Sequence, residues 1–102
     1  MKSVLEILKT EKQWTKDVGA LNKEGKPTSS IDESAIQWCL VGAVKKLLYQ
    51  TPAKDVPEIP FIMLTNAIKK LYPDRGSTIG DFNDHPDTTF KDVVKVIKEA
   101  GA

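Results

Sequence analysis

The stretch Ala35 to Ala43, Ala-Ile-Gln-Trp-Cys-Leu-Val-Gly-Ala, constrains this chain more than any other. It carries almost no polar side chain, and the rest of the molecule must cover it. Projected at helical spacing, Ile36, Leu40, Ala43, Val44 and Leu47 form one stripe, while Ala35, Cys39 and Gly42 with Trp38 fill most of the opposite side. A helix apolar nearly all round is a buried helix. The pattern therefore predicts a central helix from about Asp32 to Gln50, capped by Ser29, Ser30 or Asp32 and ended by Thr51-Pro52, because the residue before proline is pushed out of the helical region. Gly42 inside it costs about 1 kcal/mol relative to alanine, so a neighbouring backbone or ring is expected to need the space.

Around this rod the remaining segments read as shorter elements. Ser3 with Glu6 has the form of a capping box, and Val4, Leu5, Ile7 and Leu8 give a first helix to about Lys12 an apolar face. Between Gln13 and Thr28 the helical period stops. Asn22 to Gly25 supplies a turn, with Val18 to Leu21 as one arm of a small hairpin and Lys26-Pro27 as a return arm confined to an edge. A link from Ala53 to Glu58 containing Pro57 follows the central helix. Pro60 suits the first turn of a third helix, with Phe61, Leu64, Ile68, Leu71 and Tyr72 on its buried face and Pro73 closing it. Pro73 to Asp87 reads as a long irregular loop. Thr88 or Thr89 then caps a last helix with Phe90, Val93, Val94 and Ile97 inward and Gly101 as its stop. The expected fold is thus a single all-α domain over residues 1–102, four helices around a buried central one, with a short β-hairpin-like excursion after the first.

Composition narrows the function classes. Fifteen basic residues stand against fourteen acidic ones, so no overall field draws the chain to nucleic acid or to an anionic membrane, and neither partner is expected. Cys39 is the only cysteine, which excludes an internal disulfide and a multi-cysteine zinc site and suits a reducing cytoplasm. The N-terminal apolar residues are broken by Glu6, too few and too charged for a secretory signal. The usual phosphate-loop, dinucleotide, zinc-protease and esterase patterns do not occur.

Three groups of residues invite a chemical reading. Asp81, Asn83, Asp84, His85 and Asp87 crowd before a helix start, and Asp81, Asn83, His85, Asp87, Thr89 and Asp92 fall at the offsets of a calcium loop. Pro86 stands where such a loop needs glycine and Asp92 where it needs a bidentate glutamate, so the expectation is turn and cap formation, with no metal. Cys39 served by His85, oriented by Asp84 or Asp87, would make a nucleophile only if the thiol were partly exposed and electropositive, whereas its apolar neighbours mark it as a core residue. Trp14, in a polar stretch beside Lys16, is the better placed tryptophan for a partner contact, and Trp38 the better placed for the core.

The segment Trp38-Cys39-Leu40-x-Gly42-Ala43 preceded by Ala35, with Trp14-Thr15-Lys16 and Gly25 before it and Phe82-Asn83-Asp84, Thr89, Val93 and Ala100 after it, resembles an uncharacterised family of small bacterial and phage proteins. That family carries tryptophan where this chain has Phe82. The resemblance implies a shared compact domain and no particular chemistry or cofactor. The expected function is a non-catalytic module that binds a protein or a small molecule through a rim of Trp14, Lys16, Asp81, Asn83, Asp84, His85 and Asp87, with Trp38, Cys39, Leu40 and Gly42 as structural core. The rival from another class is a small enzyme or metal-dependent hydrolase using His85, Asp84 and Cys39. A third, implied by the phage members of the family, is a protein that blocks or sequesters a host defence component.

Overall fold

A computed structural model describes residues 2–56 and 59–102. Its order is a 3₁₀ turn at Val4–Glu6, a second at Glu11–Gln13, strand β1 (Ala20–Asn22), strand β2 (Ala35–Trp38), helix α1 (Leu40–Gln50), a third 3₁₀ turn at Ala53–Asp55, then helices α2 (Pro60–Leu71), α3 (Ile79–Asp84) and α4 (Phe90–Ala100). The molecule is therefore mostly helical with a small antiparallel sheet, and the all-α expectation is corrected at that point. Pro57 and Glu58, the end of the expected link, lie outside the described residues.

The largest correction falls on the organising stretch itself. Residues 35–38 form a strand, and the helix begins only at Leu40. Ile36 accordingly points out and is 48% exposed, whereas Leu40, Ala43, Val44 and Leu47 keep the buried stripe expected of them. The cause is local. β-branched Ile36 and aromatic Trp38 suit a pleated surface, and Cys39 in extended conformation supplies the helix cap, its sulfur accepting from the Gly42 N–H at 3.3 Å.

The hairpin is also rearranged. Gly25 takes the turn at φ +76° with its N–H on the Asn22 carbonyl, but Leu21 meets Pro27 at a single bridge. The longer partner of β1 is β2, with Ala20 opposite Trp38, Leu21 opposite Gln37 and Asn22 opposite Ala35, and an irregularity between Leu21 and Asn22. The near arm keeps one edge of β1, where Asn22 N donates to the Lys26 carbonyl and Thr28 N to the Ala20 carbonyl, and the apolar strand from farther along takes the opposite edge.

The expected first helix divides into two single turns because two hydroxyls cap in succession. Ser3 Oγ accepts from Leu5 N, and Thr10 Oγ1 accepts from Lys12 N while Gln13 Oε1 accepts from Thr10 N. The later helices keep their sequence boundaries. Pro60 opens α2, Thr89 and Asp92 cap α4 reciprocally, and Gly101 ends it at φ +70°. In α4 the buried set is Val93, Val96 and Ile97, with Val94 turned partly out.

The core joins Leu8, Leu40, Leu47, Leu64, Phe82, Val93 and Ile97, all fully covered. α2 and α4 pack on each other, and α1 is covered by α3, by the Val4–Glu6 turn and partly by α2. The helix expected at the centre thus has α3 as its main helical neighbour, while α4 packs chiefly on α2. The loop expected from Pro73 to Asp87 contains α3, capped by Thr78 Oγ1 on the Asp81 N–H at 3.0 Å.

Candidate functional site

α3 is one and a half turns long, and its burial is what matters. Ile79 and Phe82 enter the core, the Phe82 ring lying 5.4 Å from that of Tyr72, and this draws the next residue, Asn83, wholly inside at 0% exposure. A buried amide must use its donors and acceptors. Asn83 Oδ1 accepts from the Trp14 indole N–H at 2.7 Å and from the Leu40 backbone N–H at 2.9 Å, and its Nδ2 donates to the Thr15 carbonyl at 3.1 Å and to Asp84 Oδ1 at 2.9 Å. One side chain thereby joins the N-terminal segment, the start of α1 and α3.

The other rim residues extend this clasp. Asp84 Oδ1 also takes the backbone N–H of Asp17 at 2.8 Å, where Asp17 sits in the left-handed region at φ +71°. Lys16 Nζ donates to the His85 carbonyl at 2.7 Å and lies 5.6 Å from the centre of the Trp14 ring, whose centre is 6.1 Å from that of Phe90. His85 Nδ1 accepts from the Asp87 N–H at 3.1 Å. Trp14, Lys16, Asn83, Asp84 and His85 are thus brought together, yet they bond chiefly to one another and to backbone. Asp81 and Asp87 remain exposed at the edge.

The four residues expected in the core separate into two pairs. Leu40 and Gly42 are buried, and a Cβ on Gly42 would overlap the carbonyl oxygen of Gly19, so the space left by this glycine is taken by backbone. That same carbonyl accepts from Cys39 N at 3.1 Å. Trp38 and Cys39 are half-buried at the core's edge, with the Trp38 indole N–H on the Ser30 carbonyl at 2.9 Å and Thr15 N on the Trp38 carbonyl. Burial pushes the Cys39 thiol up from its ordinary pKa, and the nearby Asp84 charge adds to this, outweighing the opposing backbone N–H bonds from Gly42 and Val41. The thiol is held protonated at neutral pH. Among the described residues Cys39 shares no hydrogen bond with His85, and no group of three or more His, Cys, Asp or Glu is placed to hold a metal ion.

Two features escape the sequence reading. Tyr72 Oη donates to Asp92 Oδ1 at 3.0 Å, and Arg75 Nη1 donates to Asp92 Oδ2 at 3.2 Å and to the buried Thr88 Oγ1 at 3.1 Å while its guanidinium lies 4.9 Å from the Tyr72 ring centre. Burial pushes the Asp92 carboxyl up, but the Thr89 N–H, Arg75 and Tyr72 outweigh it and hold the group below the ordinary 3.8. Only the Thr89-x-x-Asp92 capping box signals this cluster in the sequence.

The second feature is the surface around Ile36. On one side an open groove of about 430 Å³ is lined by Ile7, Ala35, Ile36 and Trp38 with Lys9 and Lys46 at its walls. On the other side of Ile36 a groove of about 560 Å³ carries Glu24, Asp32 and Glu33 beside Lys23. Gln13, which also lines the first groove, is held by its capping bonds to Thr10, and the next two residues, Trp14 and Thr15, run alongside Trp38. Exposure of Ile36 could be found only by recognising the strand.

No helix among the described residues is long and apolar enough to cross a membrane. No curated protein and no solved structure matches the chain. A family model does match it over residues 1–102, and the chain belongs to that family of unknown function, DUF6197.

Proposed function

We propose that this protein is a non-catalytic interaction module that recognises a protein partner through the face around Ile36 and Trp38. The observation that carries this is the half-exposed Ile36 set between two open, charged grooves, an arrangement with apolar contact at the centre and polar groups at the margin. The rim of Trp14, Lys16 and residues 81–87 supports the same reading in a different role from the one expected of it. Its bonds run chiefly within the rim and to backbone, so it fixes Trp14 and Thr15 beside Trp38 and leaves Asp81, Asp84 and Asp87 at the surface. The chemistry-bearing side chains favour binding over catalysis, because the Cys39 thiol serves as a helix cap and the His85 ring as an acceptor for its own loop.

A partner in host defence, which the resemblance to phage proteins implies, would be one such protein. A cytoplasmic setting suits a lone, protonated thiol. Affinity capture from the producing cell, followed by mass spectrometry, tests the proposal with wild type beside Ile36→Glu. Proteins held by the wild type and lost from a variant of unchanged thermal stability are the expected result. Capture that Ile36→Glu leaves untouched overturns it.

A further inference from the structure

The two grooves beside Ile36 differ in sign. Lys9 and Lys46 stand in the first, and among the described residues neither has a carboxylate within ion-pair distance, though the Lys46 charge reaches Asp32 of the second groove, while Glu6 in the same groove is paired with Lys2 at 3.6 Å. Glu24 and Glu33 stand in the second, exposed and likewise without an ion pair among the described residues. Basic groove, exposed isoleucine and acidic groove therefore follow one another across a single face. A two-fold axis through such a face sets each basic groove against the other copy's acidic groove and brings the two isoleucines together. Self-complementarity of this kind is what an isologous interface requires.

We infer that the face around Ile36 binds a second copy of this chain, the basic groove of each protomer meeting the acidic groove of its partner across a two-fold axis at Ile36. This rests on the recognition face proposed above and names its occupant. A heterologous acidic peptide would explain only the lysines, and a basic one only the glutamates. The second copy uses both. Charges of this kind fix partner and register more than they add affinity, so a dimer of micromolar strength is expected, with the isoleucine contact as its apolar centre.

The test is sedimentation velocity of the full chain from about 1 µM to about 1 mM, a range that brackets micromolar association. Two double variants accompany the wild type, Lys9→Glu with Lys46→Glu, and Glu24→Lys with Glu33→Lys. All four side chains lie outside the hydrogen-bond network of the fold, and circular dichroism confirms that each variant is folded. Each variant alone opposes like charges at both contacts and is expected to weaken association about ten-fold or more. Mixed in equal amounts, the two variants match at both contacts and are expected to recover the dimer. Wild type that stays monomeric, a dimer indifferent to both reversals, or a mixture that does not associate overturns the inference. Monomeric wild type that still loses a captured protein on Ile36→Glu removes the second copy as occupant and leaves the proposed recognition face standing.

Discussion

Asn83 holds three parts of the chain with one amide, and its replacement is correspondingly severe. In Asn83→Ala the Trp14 indole N–H and the Leu40 amide lose their shared acceptor, and the Thr15 carbonyl loses its donor. Buried groups left unpaired cost about 1–3 kcal/mol each, so urea unfolding is expected to show a loss of about 3 kcal/mol. Gly42 carries a constraint of a different kind. Alanine in a helix interior ordinarily stabilises, yet here its methyl meets the Gly19 carbonyl, and Gly42→Ala is expected to lose about 2 kcal/mol in the same measurement. Cys39 gives a third outcome at this scale. With its thiol half-buried and held protonated, its labelling by a disulfide reagent at pH 7 should be slow in the native protein and fast in urea. Rapid labelling of the native protein would mean that the thiol is not held as the helix cap.

At the scale of elements, the cluster of Tyr72, Arg75 and Asp92 joins the end of α2 to the start of α4, the two helices that pack most closely. The folded carboxyl of Asp92 lies below its ordinary 3.8, so the unfolded chain takes up its proton first as pH falls. The contribution of Asp92 is therefore complete above about pH 5 and disappears as pH drops through the folded value. Thermal unfolding of Asp92→Asn should show a shallower decline than wild type between pH 5 and pH 3. An unchanged decline would place the acid-sensitive group elsewhere.

The same scale shows what could be read from the sequence. Pro60, the Thr89 capping box and Gly101 mark helix ends correctly because caps act within four residues. Residues 35–38 deceive because a short apolar run satisfies a buried helix as well as a strand, and the choice rests on β1, which lies 15 residues before it in the chain at Ala20. The clustering of Asn83 and Asp84 before a helix was visible. Their partners Trp14, Thr15 and Asp17, almost seventy residues away, were not, since only the packed core brings them near.

Taken as a whole, the molecule is a slab of 35 × 34 × 20 Å, with strand β2 packed on α1 and the Val4–Glu6 turn packed on α1 and α4. A domain so thin has little interior, and a few buried connections must make its parts unfold together. The Asn83 clasp is one such connection, joining Trp14 and Thr15 to the start of α1 and to α3. The rim is thus a fastening, and the Trp14 indole N–H, bonded to Asn83, is not free to contact a ligand. Native-state hydrogen exchange of the Trp14 indole N–H and the Leu40 amide tests this most directly. Both should exchange only through global unfolding, with opening free energies equal to the stability measured in urea. Exchange of the Trp14 indole through a low-energy local opening, while the core amides stay protected, would contradict it.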